Sequence, residues 1–215
     1  MTSFADLRAR MVERQLRGRG IADERVLAAM GEVPREDFVP RQLRDRAYED
    51  SALPIDEEQT ISQPWIVAAT CQALALEGSE LVLEVGTGSG YSAAVLARLV
   101  DHVVTIERHE ALFRAARETL AALGFDNVET LLGDGSLGVP GRAPFDAIAV
   151  HATAPGPPQA LLGELAEGGR LVVPLAAGDA DVLTLYRRRG DRLEAEPITP
   201  CRFVPLVGEG GFEEG

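Results

Sequence analysis

Beyond residue 80 the chain repeats one rhythm: a short continuous apolar run, then a stretch with apolar positions at helical spacing. The runs are LVLEV at 81–85, VVTIE at 103–107, VETLL at 128–132, FDAIAV at 145–150, and a fifth at 170–175 within GGRLVVPL. Between them, YSAAVLARLV after residue 90, residues 109–123 and residues 157–167 carry the period of helices, the second closed by Gly124. Apolar strands alternating with helices predict a parallel sheet covered on both faces. After residue 180 the pattern becomes alternation on either side of Gly190-Asp191, which predicts an antiparallel hairpin.

The first part of the chain lacks this rhythm. Phe4, Leu7, Met11, Val12 and Leu16 fall on one face of a helix over 4–17, ended by Gly18 and Gly20. A second short helix is predicted over 23–31, with Asp23 as its N-cap. Pro54 and Pro64 interrupt the irregular stretch AYEDSALPIDEEQTISQP. Residues 64–77 then read as a helix with Pro64 in its first turn, where proline is tolerated. The expected organisation is a helical lead with a substrate and cofactor loop over 1–78, and an α/β core with a terminal hairpin over 79–215, in one compact domain. The tail GEGGFEEG, 208–215, is expected to be mobile.

Composition removes several chemistries. The 215 residues suit one domain, and all 21 basic residues are arginine. Without lysine there is no Schiff base and no P-loop lysine for a nucleotide phosphate. A net charge of −13 argues against a nucleic-acid backbone as partner. Cys71 and Cys201 form no C-x-x-C pair, so no structural metal site is expected, and the pair suits a reducing, cytoplasmic setting. No apolar run reaches membrane-spanning length, and the arginine-rich start lacks the apolar segment of a secretory signal.

The sharpest local signal is Glu84-Val85-Gly86-Thr87-Gly88-Ser89-Gly90, where a predicted strand meets a predicted helix. Glycines there permit a tight turn and close backbone approach by a ligand. The spacing is E-x-G-x-G-x-G; a dinucleotide fingerprint would need glycine at Tyr91, and a nucleophile elbow around Ser89 would need it at Thr87. The second strand ends in Glu107, followed by Arg108, and the third runs into Gly133-Asp134-Gly135. A carboxylate at the second strand end can accept both ribose hydroxyls of an adenosyl ligand, and one at the third can reach the adenine amino group. Each acid alone reads equally well as a solvated or helix-capping carboxylate. Three features at three successive strand ends point to the edge where open α/β sheets bind ligands.

These motifs resemble the S-adenosylmethionine-dependent methyltransferases of the Rossmann-like class. QTISQPWIVA (59–68), LVLEVGTGSGYSAAVLA (81–97), GDG (133–135), APFDAIAV (143–150), GGRLVVPL (168–175) and RFVPLV (202–207), with VPREDFVP and ALPI before them, resemble the protein-L-isoaspartate O-methyltransferase family in order and over nearly the whole chain. The resemblance implies a mostly parallel seven-stranded sheet with helices on both faces, an antiparallel C-terminal hairpin and an N-terminal helical extension. It implies S-adenosylmethionine as cofactor, S-adenosylhomocysteine as product, and methylation of the free α-carboxylate of L-isoaspartyl residues in damaged proteins or peptides. The ester would close to a succinimide that hydrolyses partly to aspartate. Ser62 matches the family's active-site serine, with a positioning role rather than a nucleophilic one; an N-cap for the helix near Pro64 is the structural alternative. Cofactor contacts are expected from Gln59, Thr60, Ser62, Glu84, Gly86, Thr87, Gly88, Ser89, Gly90, Tyr91, Glu107, Arg108, Asp134 and Gly135, and substrate contacts from Thr60, Ile61, Ser62, Val204 and Val207. Arg202 is a further candidate for the anionic substrate.

The chain departs from the family at Asp56-Glu57-Glu58, where glycine-containing sequence is usual, at Ser136, and at His151, where small residues are common. Three carboxylates near an anionic substrate either point outward to solvent or imply a less acidic or base-flanked target. A carboxyl methyltransferase acting on a dedicated peptide is the alternative reading. A monomer is expected, since the hairpin closes the sheet.

Overall fold

The computed structural model describes residues 3–213. The lead begins with α1 (Phe4–Arg10), capped by Ser3 and Asp6 in a reciprocal box. The single helix expected over 4–17 is instead three pieces. After α1 the coil widens to π geometry over Met11–Leu16 and tightens to a 3-10 turn over Arg17–Arg19, stopped by Gly20 at φ 93°. Next comes α2 (Glu24–Glu32), whose N-cap is Asp23, as its sequence position predicts. Short strands β1 (Leu53–Pro54) and β2 (Thr60–Ile61) form an antiparallel hairpin, and α3 (Pro64–Leu74) follows. It ends before residue 77 because Ala75 turns left-handed at φ 46°.

The core then runs β3 (Leu81–Val85), α4 (Tyr91–Ala97), β4 (His102–Glu107), α5 (Glu110–Ala122), β5 (Val128–Leu132), β6 (Phe145–Val150) and α6 (Gln159–Gly163). It finishes with β7 (Leu165–Ala177), β8 (Ala180–Arg189) and β9 (Arg192–Cys201). The sheet order is β5-β4-β3-β6-β7-β8-β9. Its first five strands, β7 included, are parallel, and β8 and β9 follow antiparallel at the β7 edge. The hairpin around Gly190-Asp191 joins β8 to β9 as expected. The helix expected over 157–167 shrinks to α6, because the chain enters β7 at Leu165 to pair with Phe145.

Alternation along the strands divides the core. Val82, Val103, Ala147 and Val172 pack on the face that carries the lead, α3 and α4. Leu83, Val85, Val104, Ile106, Ile148 and Val150 pack on the other. The lead is tied down by polar contacts as well. Gln72 Oε1 accepts the Ala22 and Asp23 N–H groups at 2.7 and 3.0 Å, and an Arg25 guanidinium N–H donates to the Leu99 carbonyl at 2.6 Å. Arg35 is fully buried, with its guanidinium 4.8 Å from the centre of the Tyr91 ring and its Nε donating to the Ala47 carbonyl. Burial lowers its pKa to about 10.

The β1–β2 turn is unusual for its sequence. The Gln59 N–H closes it on the Asp56 carbonyl at 3.1 Å, and both central residues, Glu57 and Glu58, sit at φ 56°. Such turns favour Asn-Gly, and left-handed backbone costs an L residue with a Cβ roughly 1–2 kcal/mol. Replacing Glu57→Asn together with Glu58→Gly is expected to raise the thermal midpoint by about 2–4 °C per kcal/mol of relieved strain in a chain of this size. Thermal melts of parent and double variant check this; an unchanged or lower midpoint contradicts it.

Candidate active site

A cleft of ≈ 430 Å³ opens at the carboxyl ends of β3, β4 and β6. This is where strand order reverses, with β4 on one side of β3 and β6 on the other, so the following loops part and leave a crevice. The glycine loop crosses its floor. Gly86, Gly88 and Gly90 take φ of 91°, 54° and 87°, which explains the every-second-residue spacing. A Cβ built on Gly88 would meet only Ile55 Cδ1 at 3.7 Å, so that backbone stays open to a ligand.

Glu107 is buried and held by two backbone donors. Its Oε2 accepts the Gly88 N–H at 2.8 Å, and its Oε1 accepts the His109 N–H at 2.9 Å. Each oxygen keeps a further lone pair for ligand hydroxyls. Gly135 lines the same wall; a Cβ there would lie 2.7 Å from Val85 Cγ1, so no larger residue fits.

Of the residues expected from sequence, Gln59, Thr60, Ile61, Ser62, Gly86, Thr87, Gly88, Ser89, Tyr91, Glu107, Arg108, Gly135, Val204 and Val207 line this one cleft. Ser62 is not the helix cap: Gln63 holds that position, without a side-chain cap bond. Glu84, Gly90 and Asp134 stand behind the wall rather than on it. Glu84 shares a face with Val82 by strand alternation and lies wholly buried beneath α4, accepting a hydrogen bond from the Thr105 hydroxyl at 2.6 Å. Gly90 packs against α5, where its Cβ would meet Ala116 and Leu120 at 3.4 Å. Arg202 is exposed and outside the cleft.

Asp134 fastens the segment after β9. Its Oδ1 accepts the Ser136 N–H and hydroxyl at 2.9 and 2.6 Å, and its Oδ2 accepts the Glu209 N–H at 2.9 Å. Gly210 N–H donates to Ser136 Oγ at 2.9 Å, and Gly208 approaches so closely that a Cβ would fall 2.2 Å from Asp134 Oδ1. The tail expected to be mobile is therefore a strap, at least through residue 213. Burial opposes the charge of Asp134, but the Ser136 and Glu209 donors and the Arg108 charge outweigh it, and the carboxyl titrates below its ordinary range.

Sequence reasoning missed Ser92, His109, and the role of His151, all of which line the cleft. His151 Nε2 lies 2.7 Å from Ser92 Oγ and 3.4 Å from Glu84 Oε1. Its only sequence signal is its place directly after β6, at the edge where ligands bind. Glu57 and Glu58 also reach the mouth, with Glu57 Oε2 3.8 Å from His109 Nδ1.

The family model for protein-L-isoaspartate(D-aspartate) O-methyltransferase matches residues 7–211. The chain belongs to this family. Protein-L-isoaspartate O-methyltransferase 1 of Rhodopseudomonas palustris is 53% identical over 98% of this chain and 87% of its own length. Protein-L-isoaspartate O-methyltransferase 2 of Pelobacter propionicus is 52% identical over 94% of this chain and 91% of its own. A solved protein-L-isoaspartate O-methyltransferase superposes with a TM-score of 0.84 at 30% identity, over 95% of this chain and 67% of that one. A Plasmodium falciparum structure at 24% identity and TM-score 0.81, over 93% of this chain and 98% of that one, shares the fold. Fold class, enzyme class and S-adenosylmethionine dependence thus stand as the sequence motifs imply.

The open glycine backbone, the doubly held Glu107 and an acidic lining without lysine fit a cationic adenosyl cofactor. Glu107→Ala should weaken S-adenosylhomocysteine binding about 10- to 100-fold, the value of a hydrogen bond to a charged group, read by calorimetry. Unchanged affinity refutes the ribose assignment. The Asp134 strap gives a pH expectation. Its folded pKa is depressed below the unfolded value of about 3.9, so its contribution is complete above about pH 4 and lost as pH falls through the folded pKa. The stability gap between parent and Asp134→Asn should shrink below about pH 4 in acid denaturation.

Proposed function

We propose that this chain methylates the free α-carboxylate of L-isoaspartyl residues in damaged proteins, with loop 59–62 aligning that carboxylate at the reacting end of the cleft. The carrying observation is Ser62, which lines the same cleft as the glycine loop and whose hydroxyl makes no hydrogen bond to another described residue. A hydroxyl left free in a ligand cleft is a ready donor to a carboxylate.

Bound S-adenosylmethionine supplies an electrophilic methyl on a sulfonium. The chain's own task is alignment. The attacking carboxylate is already ionised at neutral pH, with a reference pKa near ~4, so no general base is required. Correct orientation alone can supply roughly 7–11 kcal/mol of the barrier. Thr60, Ile61, Ser62, Val204 and Val207 would grip the peptide, Glu107 the ribose, and Gly135 with Arg108 the adenine end, while Asp134 holds the strap beside them. Glu57 and Glu58 at the mouth favour isoaspartyl sites flanked by cationic residues. The methyl ester would then close to a succinimide and open partly to aspartate. The reading includes a cytoplasmic monomer without nucleic-acid or membrane partners, supported by two free cysteines and a net charge of −13.

The test is methyl transfer to matched peptides bearing isoaspartate, aspartate or asparagine at one site. Activity confined to isoaspartate is expected; preference for aspartate would favour a dedicated carboxyl methyltransferase. Ser62→Ala should lower turnover about 10-fold or more while leaving cofactor affinity within about twofold. Parent-like turnover would remove Ser62 from the mechanism.

A further inference from the structure

A chain of polar side chains runs under the cleft. Thr87 Oγ1 lies 2.6 Å from Thr105 Oγ1, Thr105 donates to Glu84 Oε2 at 2.6 Å, and Glu84 Oε1 faces His151 Nε2 at 3.4 Å. His151 Nε2 in turn lies 2.7 Å from Ser92 Oγ. Glu84 has no exposure, and neither its Oε1 nor His151 Nδ1 has a hydrogen-bond partner among the described residues.

These positions fix the hydrogens. Placing the hydrogen on Nδ1 would bury an N–H that has no acceptor among the described residues and would turn a bare Nε2 lone pair toward the Glu84 carboxylate 3.4 Å away. Nε2 therefore carries the hydrogen and donates it to Ser92 Oγ, with Glu84 Oε1 close by but not hydrogen-bonded. Ser92 is then the acceptor in its contact with His151, and its own hydrogen must point elsewhere. No protein acceptor for it exists among the described residues, and Ser92 lines the cleft. Phe203 flanks the imidazole at 6.4 Å between ring centres.

Location identifies the ligand group. The strand ends run Gly135 after β5, Glu107 on β4, the glycine loop after β3, and His151 after β6. With ribose at Glu107, adenine lies toward β5, and the β6 side receives the amino-acid end of the cofactor and the incoming substrate. Both carry a carboxylate.

We propose that Ser92 donates its hydroxyl hydrogen to a carboxylate at the β6 end of the cleft, and that His151, backed by Glu84, is the positioning residue that fixes the direction of that donor. The assignment rests on the methyl-transfer reading above, and its source is either the isoaspartyl carboxylate or the methionyl carboxylate of the cofactor.

Three variants and two readouts test it. Ser92→Ala should cost about tenfold in one carboxylate-bearing ligand. If the substrate supplies the group, KM for an isoaspartyl peptide rises while the Kd for S-adenosylhomocysteine holds. If the cofactor supplies it, that Kd rises, and the Kd for decarboxylated S-adenosylhomocysteine does not. His151→Leu should reproduce the loss, and His151→Gln, which keeps an N–H near Nε2, should recover most of it. The proposal is overturned if Ser92→Ala leaves both constants unchanged, if it weakens the decarboxylated ligand equally, or if His151→Gln is no better than His151→Leu. Should His151→Leu fail to fold, Ser92→Ala and His151→Gln decide the matter. A parent inactive on isoaspartyl peptide would refute the functional reading, and the two cofactor titrations would still decide this one.

Discussion

One buried carboxylate organises the binding edge of this molecule. Glu84 sits at the end of the central strand with no exposure, and a charge placed there must be satisfied from several directions at once. It takes a hydroxyl from β4 through Thr105 and faces an imidazole from the end of β6. Through Thr105 it also reaches Thr87 inside the glycine loop. The three strand ends that border the cleft are therefore locked to one another beneath the surface that touches ligand. The glycine loop above can keep its Gly88 backbone open because Thr87 anchors it from below.

Most of the core was legible because four of the five parallel strands, β3 to β6, are short and mostly apolar runs. LVLEV, VETLL and FDAIAV coincide with β3, β5 and β6 at both ends. The lead and the segment before β7 were not. Helical spacing of Phe4, Leu7, Met11 and Leu16 survives a change from α to π geometry, because a slightly wider coil still buries one face. Residues 165–167 carry helix-compatible letters, yet the free edge of β6 at Phe145 recruits them into β7. Non-local pairing wins there over local preference.

The site divides in the same way. Residues that a strand end carries into the cleft, such as Glu107 and Gly135, could be placed there from spacing. Tertiary pairs could not. Ser92 and His151 are 59 positions apart, and nothing in either local sequence announces the other. Glu84 was read as a ligand contact because its motif adjoins the loop, but strand alternation turns its side chain toward α4. Asp134 was read as a free acceptor because the sequence gives no hint that Glu209 would return to it.

That return has a consequence for how the protein is made. Leu206 N–H donates to the Thr153 carbonyl and Thr153 N–H to the Val204 carbonyl, so the last wall of the cleft is a stretch threaded beside β6 after the whole sheet has been laid down. The parallel half of the sheet precedes residues 204–212 in the chain, so its binding edge lacks one wall until that stretch has been made and has docked beside β6. A chain stalled before that point holds the glycine loop and Glu107 but not Val204, Pro205, Leu206 and Val207 of the same cleft.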